Sequence, residues 1–193
     1  MTYPTCCAWR HPKPKGANGR CIGRTDLCVD RRKAKRLAHR IRQAARRHNW
    51  PRVIYTSPLR RCADVGRQLK RWGWRHHMDV ALSEMDFGIW DGQPWSAINT
   101  AQVDAWVADF MDCAPGGGED LRALFQRVAA WRAACQQEAG ADAPRLLVAH
   151  AGWMLAHQWL CTQTALPTDA AQWPVAPGYG VCWRMQAHAL ASQ

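Results

Sequence analysis

Short uncharged runs alternate along the chain with segments whose apolar residues recur every three or four positions, a pattern that predicts strands separated by helices. The first run, Thr5-Cys6-Cys7-Ala8-Trp9, reads as a strand. A loop dense in turn formers follows, from Pro12 to Gly19, and continues without periodicity to Asp26. Over residues 31–48, Ala34, Leu37, Ala38, Ile41, Ala44 and Ala45 fall on one helical face, with Asp30 as N-cap. Residues 52–56 form a second strand. Ser57 as N-cap and Pro58 in the first turn then open a helix over 59–72. Further on, the pattern predicts a third strand over 79–82, irregular helix over 96–112, a turn at 115–118 and a helix over 119–138. A strong strand over 144–149, a helix over 153–161 and a last strand over 180–185 complete the order. No repeat, low-complexity tract or linker interrupts it, so a single domain over 1–193 is expected. Its fold class is α/β: a three-layer α/β/α sandwich with a mostly parallel central sheet.

Composition narrows the class. Hydrophobic residues make up 48% of the 193 and charged residues 21%, the balance of a globular chain rather than a disordered one. No stretch approaches the roughly 18 apolar residues that span a bilayer, and residues 1–5 lack the start of a secretory signal. A cytoplasmic location is therefore expected, with the nine cysteines as thiols. Their spacing contains no Cys-x-x-Cys pair, which disfavours a zinc site or a disulfide framework. The charge is uneven: residues 1–80 carry 21 basic against 4 acidic residues, a balance of +17, and residues 81–193 carry −6. That asymmetry suits nucleic acid or an anionic small substrate equally. The polar face of 31–48 is nearly all Arg and Lys. A solvated surface helix is the favoured reading, because no base-reading module or aromatic interleaving accompanies the charge.

Candidate chemistry gathers where strands end. Arg10 and His11 close the first strand, at the edge where open α/β sheets place ligands. An arginine fork beside an imidazole nucleophile suits phosphate esters. Arg60 and Arg61 stand in the first turn of a helix, where the dipole favours anions, a local conflict that a bound phosphate resolves. Glu84 follows the third strand and His150 the fourth. Each has a plainer reading. His150 fits a core histidine and the arginines fit a helix surface. Glu84 fits a solvated loop, with Asp86 as the acid instead. His76 and His77 near Asp79 read as a solvated loop more readily than as a metal site.

Taken as an ordered set, these pieces resemble the histidine phosphatases, the phosphoglycerate mutase-like superfamily. The matching stretches are Arg10-His11, Gly19 to Asp26, Thr56-Ser57-Pro58-Leu59-Arg60-Arg61, Leu82-Ser83-Glu84 through Trp90-Asp91-Gly92, Gly117-Gly118-Glu119, and Val148 to Gly152. Gly19 to Asp26 is most similar to the α-ribazole phosphatase branch, which removes the 5′-phosphate of α-ribazole phosphate in cobamide loop assembly. By that resemblance His11 would be the nucleophile and Glu84 the acid for the leaving alcohol, while Arg10, Arg61 and His150 would hold the transferring oxygens. Asn18, Arg24, Thr25, Arg60 and Trp90 would contact the substrate; Trp90 and Trp95 fit stacking on a base and fit the core equally. The arginines take the place of a metal, so the resemblance implies no metal and no cofactor. The implied partner is a small phosphorylated substrate rather than a membrane or nucleic acid, and monomer and homodimer both remain open.

Two departures stand out. The family's glycine after Arg-His is Pro12 here, which fixes φ and removes an amide donor. Ala151 replaces another usual glycine. Pro12 makes an inactive scaffold conceivable, yet no proposed catalytic residue is lost and an active enzyme is expected. The alternatives within the family are a broad-specificity phosphatase or a mutase-like enzyme. Mutases carry a longer insertion after the Glu84 region, so the short segment here favours hydrolysis. The alternative of another class is a basic nucleic-acid-binding protein using residues 31–75.

Overall fold

The computed structural model describes residues 5–137 and 143–186. Its strands are β1 (Cys6–Arg10), β2 (Val53–Thr56), β3 (Arg75–Met78), β4 (Arg145–Ala149) and β5 (Cys182–Met185). The helices are α1 (Arg31–Arg47), α2 (Arg60–Lys70), α3 (Thr100–Ala108), α4 (Leu121–Gln137) and α5 (Ala151–Thr162). The sheet order is β3-β2-β4-β1-β5, parallel except for β5, which runs antiparallel to β1.

Side-chain alternation along the central strands produces the layers. Cys6 and Ala8 of β1, with Leu147 and Ala149 of β4, face a core that holds α4 and α5. Cys7, Trp9, Leu146 and Val148 face the opposite core with α1 and α2. Both faces are covered, so β1 and β4 are buried runs rather than alternating ones. The three-layer, mostly parallel α/β class expected from the element order is the fold observed.

Three local expectations need correction. The third strand is Arg75–Met78, while Val80–Leu82 forms a 3-10 turn. Most of this edge strand is exposed, so no apolar alternation marks it. Its His76 accepts or donates a 2.8 Å bond with Thr56 Oγ1 and packs on Gly66 of α2, where a Cβ would meet the imidazole at 2.3 Å. Helix α2 starts at Arg60 with Leu59 as N-cap. The carboxylate of Asp26 accepts from the Arg60 amide at 2.6 Å, and this distant residue supplies the negative charge expected there from phosphate. The helical region expected over 96–112 contains only α3 and a 3-10 turn at Trp95–Ala97. The last residue of the helix expected over 119–138 lies outside the described residues, as do the two ends of the 1–193 domain. No described helix is long and apolar enough to cross a membrane.

Candidate active site

Strand register sets the site. Arg10 pairs with Ala149, so the next residue of each strand, His11 and His150, leaves the sheet side by side at its carboxyl edge. Their ring centroids lie 5.0 Å apart. Strand β2 flanks β4 on the other side, and α2 after it carries Arg61 into the same corner. Arg61 is wholly buried. Its Nε donates to His150 Nδ1 at 3.1 Å, and its terminal nitrogens donate to the carbonyls of Thr25, at 2.7 Å, and Gly23. Those carbonyls belong to a loop clamped by Asp91. The Asp91 carboxylate accepts from the amides of Gly23, Arg24 and Thr25 and from Thr25 Oγ1, all within 2.9 Å.

Hydrogen bonding fixes both tautomers. The Pro12 carbonyl can only accept, so His11 Nδ1, 2.8 Å away, carries the ring proton and Nε2 keeps the lone pair. Pro12 thus holds His11 through its oxygen, despite lacking an amide. Arg61 can only donate, which places the His150 proton on Nε2, 3.4 Å from Cys62 Sγ. Burial, then the charges of Arg61 and Arg10, push His11 down to about 3, against the opposing bond to Pro12. His150 is held well below its ordinary value by burial and then by Arg61, His11 and Arg10. Both imidazoles are neutral at pH 7.

Opposite them stands Glu84, 8% exposed. One carboxylate oxygen accepts from the Gly152 amide at 3.2 Å and the other from Met85 at 3.1 Å. Arg127 donates to the carbonyls of Ala81 and Ser83 while paired in two-pronged fashion with Glu119, and so braces the backbone that carries Glu84. The alternative acid, Asp86, turns away to Arg24 at 3.4 Å. Arg10 donates to the Pro177 carbonyl at 2.7 Å and lies 4.0 Å above the Tyr179 ring, tying the segment before β5 to the site.

A cavity of about 340 Å³ opens over this corner, and Arg10, His11, Arg61 and Glu84 line it; His150 touches His11 and Arg61 from behind. The five substrate contacts expected from sequence are placed elsewhere. Asn18 is exposed on its loop, Arg24 pairs with Asp86 and Glu119, and Thr25 bonds Asp91. Arg60 extends into solvent, and Trp90 is buried against Cys21 and Ile98. The cavity wall comes instead from Trp95, Phe87, Trp106, Phe110, Trp173 and Tyr179. Trp106 sits between Phe87, Trp90 and Phe110, at centroid distances of 5.7–6.1 Å. Phe87, Trp106, Phe110, Trp173 and Tyr179, with Arg20 and the clamp of Asp91, were missed by sequence reasoning. Phe87, Trp173 and Tyr179 lie outside strands and helices, Trp106 on α3 and Phe110 just after it, and only the fold brings them together. Among the described residues no group of His, Cys, Asp and Glu is arranged to hold a metal, and His76 serves β3 instead.

Residues 6–177 match the family described as the histidine phosphatase superfamily, branch 1. Glucosyl-3-phosphoglycerate phosphatase of Mycolicibacterium vanbaalenii is 32% identical over 144 residues, 67% of this chain and 60% of that protein. The match therefore spans less than two thirds of this relative. The mycobacterial glucosyl-3-phosphoglycerate phosphatase Rv2419c in complex with inorganic phosphate superposes with a TM-score of 0.69 at 27% identity, covering 91% of this chain and 86% of that one. The α-ribazole phosphatase of Shigella flexneri gives a TM-score of 0.75 at 20% identity, over 92% and 88%, a likeness of fold alone.

Proposed function

The chain belongs to the histidine phosphatase superfamily, and on that premise we propose that it hydrolyses a phosphate monoester through a phosphohistidine on His11. The observation that carries the reading is the neutral, buried His11 with Nδ1 tied to Pro12 and Nε2 left as nucleophile, in the cavity that Arg10, Arg61 and Glu84 share. Nε2 attacks phosphorus as the bond to the leaving oxygen breaks, and protonated Glu84 gives its proton to that oxygen. Water then enters. Glu84 takes a proton from it, the oxygen attacks phosphorus, and the P–N bond breaks to release inorganic phosphate. Three protein acceptors use three of the five N–H donors of Arg61, which leaves two for phosphate oxygens. Arg10 completes the cradle, while His150 holds the Arg61 fork from behind, so that charge is stabilised by fixed donors.

For the leaving group, we favour α-ribazole, an alcohol bearing a flat heteroaromatic base. The aromatic wall of Trp95, Trp106, Phe110 and Trp173 supports this choice, since an apolar wall leaves a polar sugar's hydroxyls unpaired. A glucosyl-phosphoglycerate is the second reading, favoured by Arg20 at the cavity, a cation available to a carboxylate. Phosphate release from both esters, beside simple sugar and nucleoside monophosphates, decides between them. Turnover lost in His11→Ala supports the chemistry, and turnover retained by that variant contradicts it.

A further inference from the structure

We propose that a second cleft, at the edge of the sheet opposite the phosphate cavity, binds a mononucleotide, its phosphate on Arg42, Arg46 and Arg52 and its base against Trp50 and Trp72. The cleft encloses about 220 Å³ and is lined by these residues together with Trp74. It forms where α1 ends, β2 begins and α2 passes into β3, at the amino edge of the parallel strands. His11, Arg61 and His150 stand beyond the carboxyl edge, so the two sites are separated by the sheet.

Unbalanced charge is the first argument. From Arg31 to Ala63 the chain contains no Asp or Glu. Among the described residues the ion pairs engage Arg24, Arg67, Arg122 and Arg127, and none engages the three arginines of the cleft. Arg42 and Arg46 are four residues apart on one helix, a like-charge spacing that costs stability. The helix dipole accounts for Arg46 in the last turn. It does not account for Arg42 a turn earlier or for Arg52 beyond the helix. An anion in the cleft removes the repulsion.

The second argument is the way these groups are held. The Arg42 guanidinium lies 4.6 Å from the Trp72 ring centroid and is 3.2 Å from His39 Nδ1, while its Nε is buried without a partner. Trp50 stacks on His48 at 4.7 Å and Trp72 lies 4.5 Å from the His39 ring, yet both remain half-buried and line the cleft. Guanidinium forks match phosphate oxygens, and indole faces accept flat heteroaromatic rings. A phosphate alone leaves the indole surface that lines the cleft uncovered, and an apolar ligand leaves three cations unneutralised. A phosphorylated heteroaromatic engages both.

Titration calorimetry with AMP tests this, in His11→Ala so that the probe is not consumed. AMP is expected to bind more tightly than either adenosine or inorganic phosphate. Its affinity is expected to fall at least about tenfold when Arg46→Glu and Arg52→Glu, both at exposed positions, are added, with circular dichroism unchanged. The proposal is overturned by no AMP binding, by AMP no tighter than adenosine or phosphate alone, or by AMP affinity indifferent to the charge reversals, which places it in the phosphate cavity. A short single-stranded oligonucleotide that binds more tightly with length replaces the mononucleotide with a polyanion surface, and likewise overturns it.

Discussion

Gly152→Ala separates the acid from the rest of the site. Gly152 lies in the first turn of α5, where helical backbone accepts any residue, but a Cβ there meets Glu84 Oε1 at 2.5 Å. Ordinary contact needs about 3.4 Å, so the carboxylate must retreat by about 1 Å. It is the free end of a flexible side chain, and the fold tolerates the move. Alanine adds ~1 kcal/mol of helix propensity, which offsets part of the ~1.5–3 kcal/mol bond between the Gly152 amide and Glu84. The thermal midpoint is expected to fall by only a few degrees. Catalysis is different, because a misplacement of about 1 Å costs on the order of 10²-fold and general acids contribute at least that much. The assay compares kcat/KM, which reports the first phosphoryl transfer, for an alkyl phosphate and p-nitrophenyl phosphate. The alkoxide needs a proton and the nitrophenolate does not. A loss of about 10² for the alkyl ester, with less than about tenfold for the aryl ester, is expected. Equal losses on both esters, or no loss on either, refute Glu84 as the acid.

Three further outcomes are expected. Asp91→Ala frees the loop whose carbonyls hold Arg61; removal of four hydrogen bonds to one carboxylate costs about 2–4 kcal/mol by denaturant midpoint, with kcat at least about tenfold lower. Trp106→Ala is expected to raise KM for an ester with a heteroaromatic leaving group about 3–10-fold and to leave methyl phosphate turnover unchanged, by steady-state kinetics on both. His157 is buried and pushed down to about 3, by burial and then Arg132. It is neutral when folded and takes a proton when unfolded below its ordinary value near 6.5, so its contribution to stability is intact above that pH and lost as pH falls towards 3. In His157→Gln, the fall of the denaturation free energy between pH 6 and pH 4 is expected to be shallower by up to about 1.4 kcal/mol per pH unit.

The legible part of the fold was the part governed by short-range pattern. Uncharged runs marked β1 and β4 because both faces of those strands are covered, and helical spacing marked α1 and α4 because one stripe of each is buried. Strand β3 escaped because three of its four residues are exposed. The cap of α2 escaped because Asp26 lies 34 positions before the amide that it binds. At the site, residues adjoining strand ends were readable, since the sheet itself brings His11 and His150 together. The cavity wall, apart from Trp95, was not. Trp90 and Trp106 are alike in composition, and only the fold of residues 84–110 turns one into a buried cluster and the other towards the cavity. Arg24 likewise has two acidic partners that no local spacing announces.

The covalent intermediate is the most direct measure of the central claim. The enzyme is mixed with α-ribazole 5′-phosphate, quenched in alkali within milliseconds to preserve phosphoramidates, digested and mapped by mass spectrometry. A phosphoryl group on His11, absent from His11→Gln and decaying at the rate of phosphate release, is the expected result. Phosphate release without any histidine adduct, or an adduct on another residue that survives His11→Gln, contradicts the mechanism.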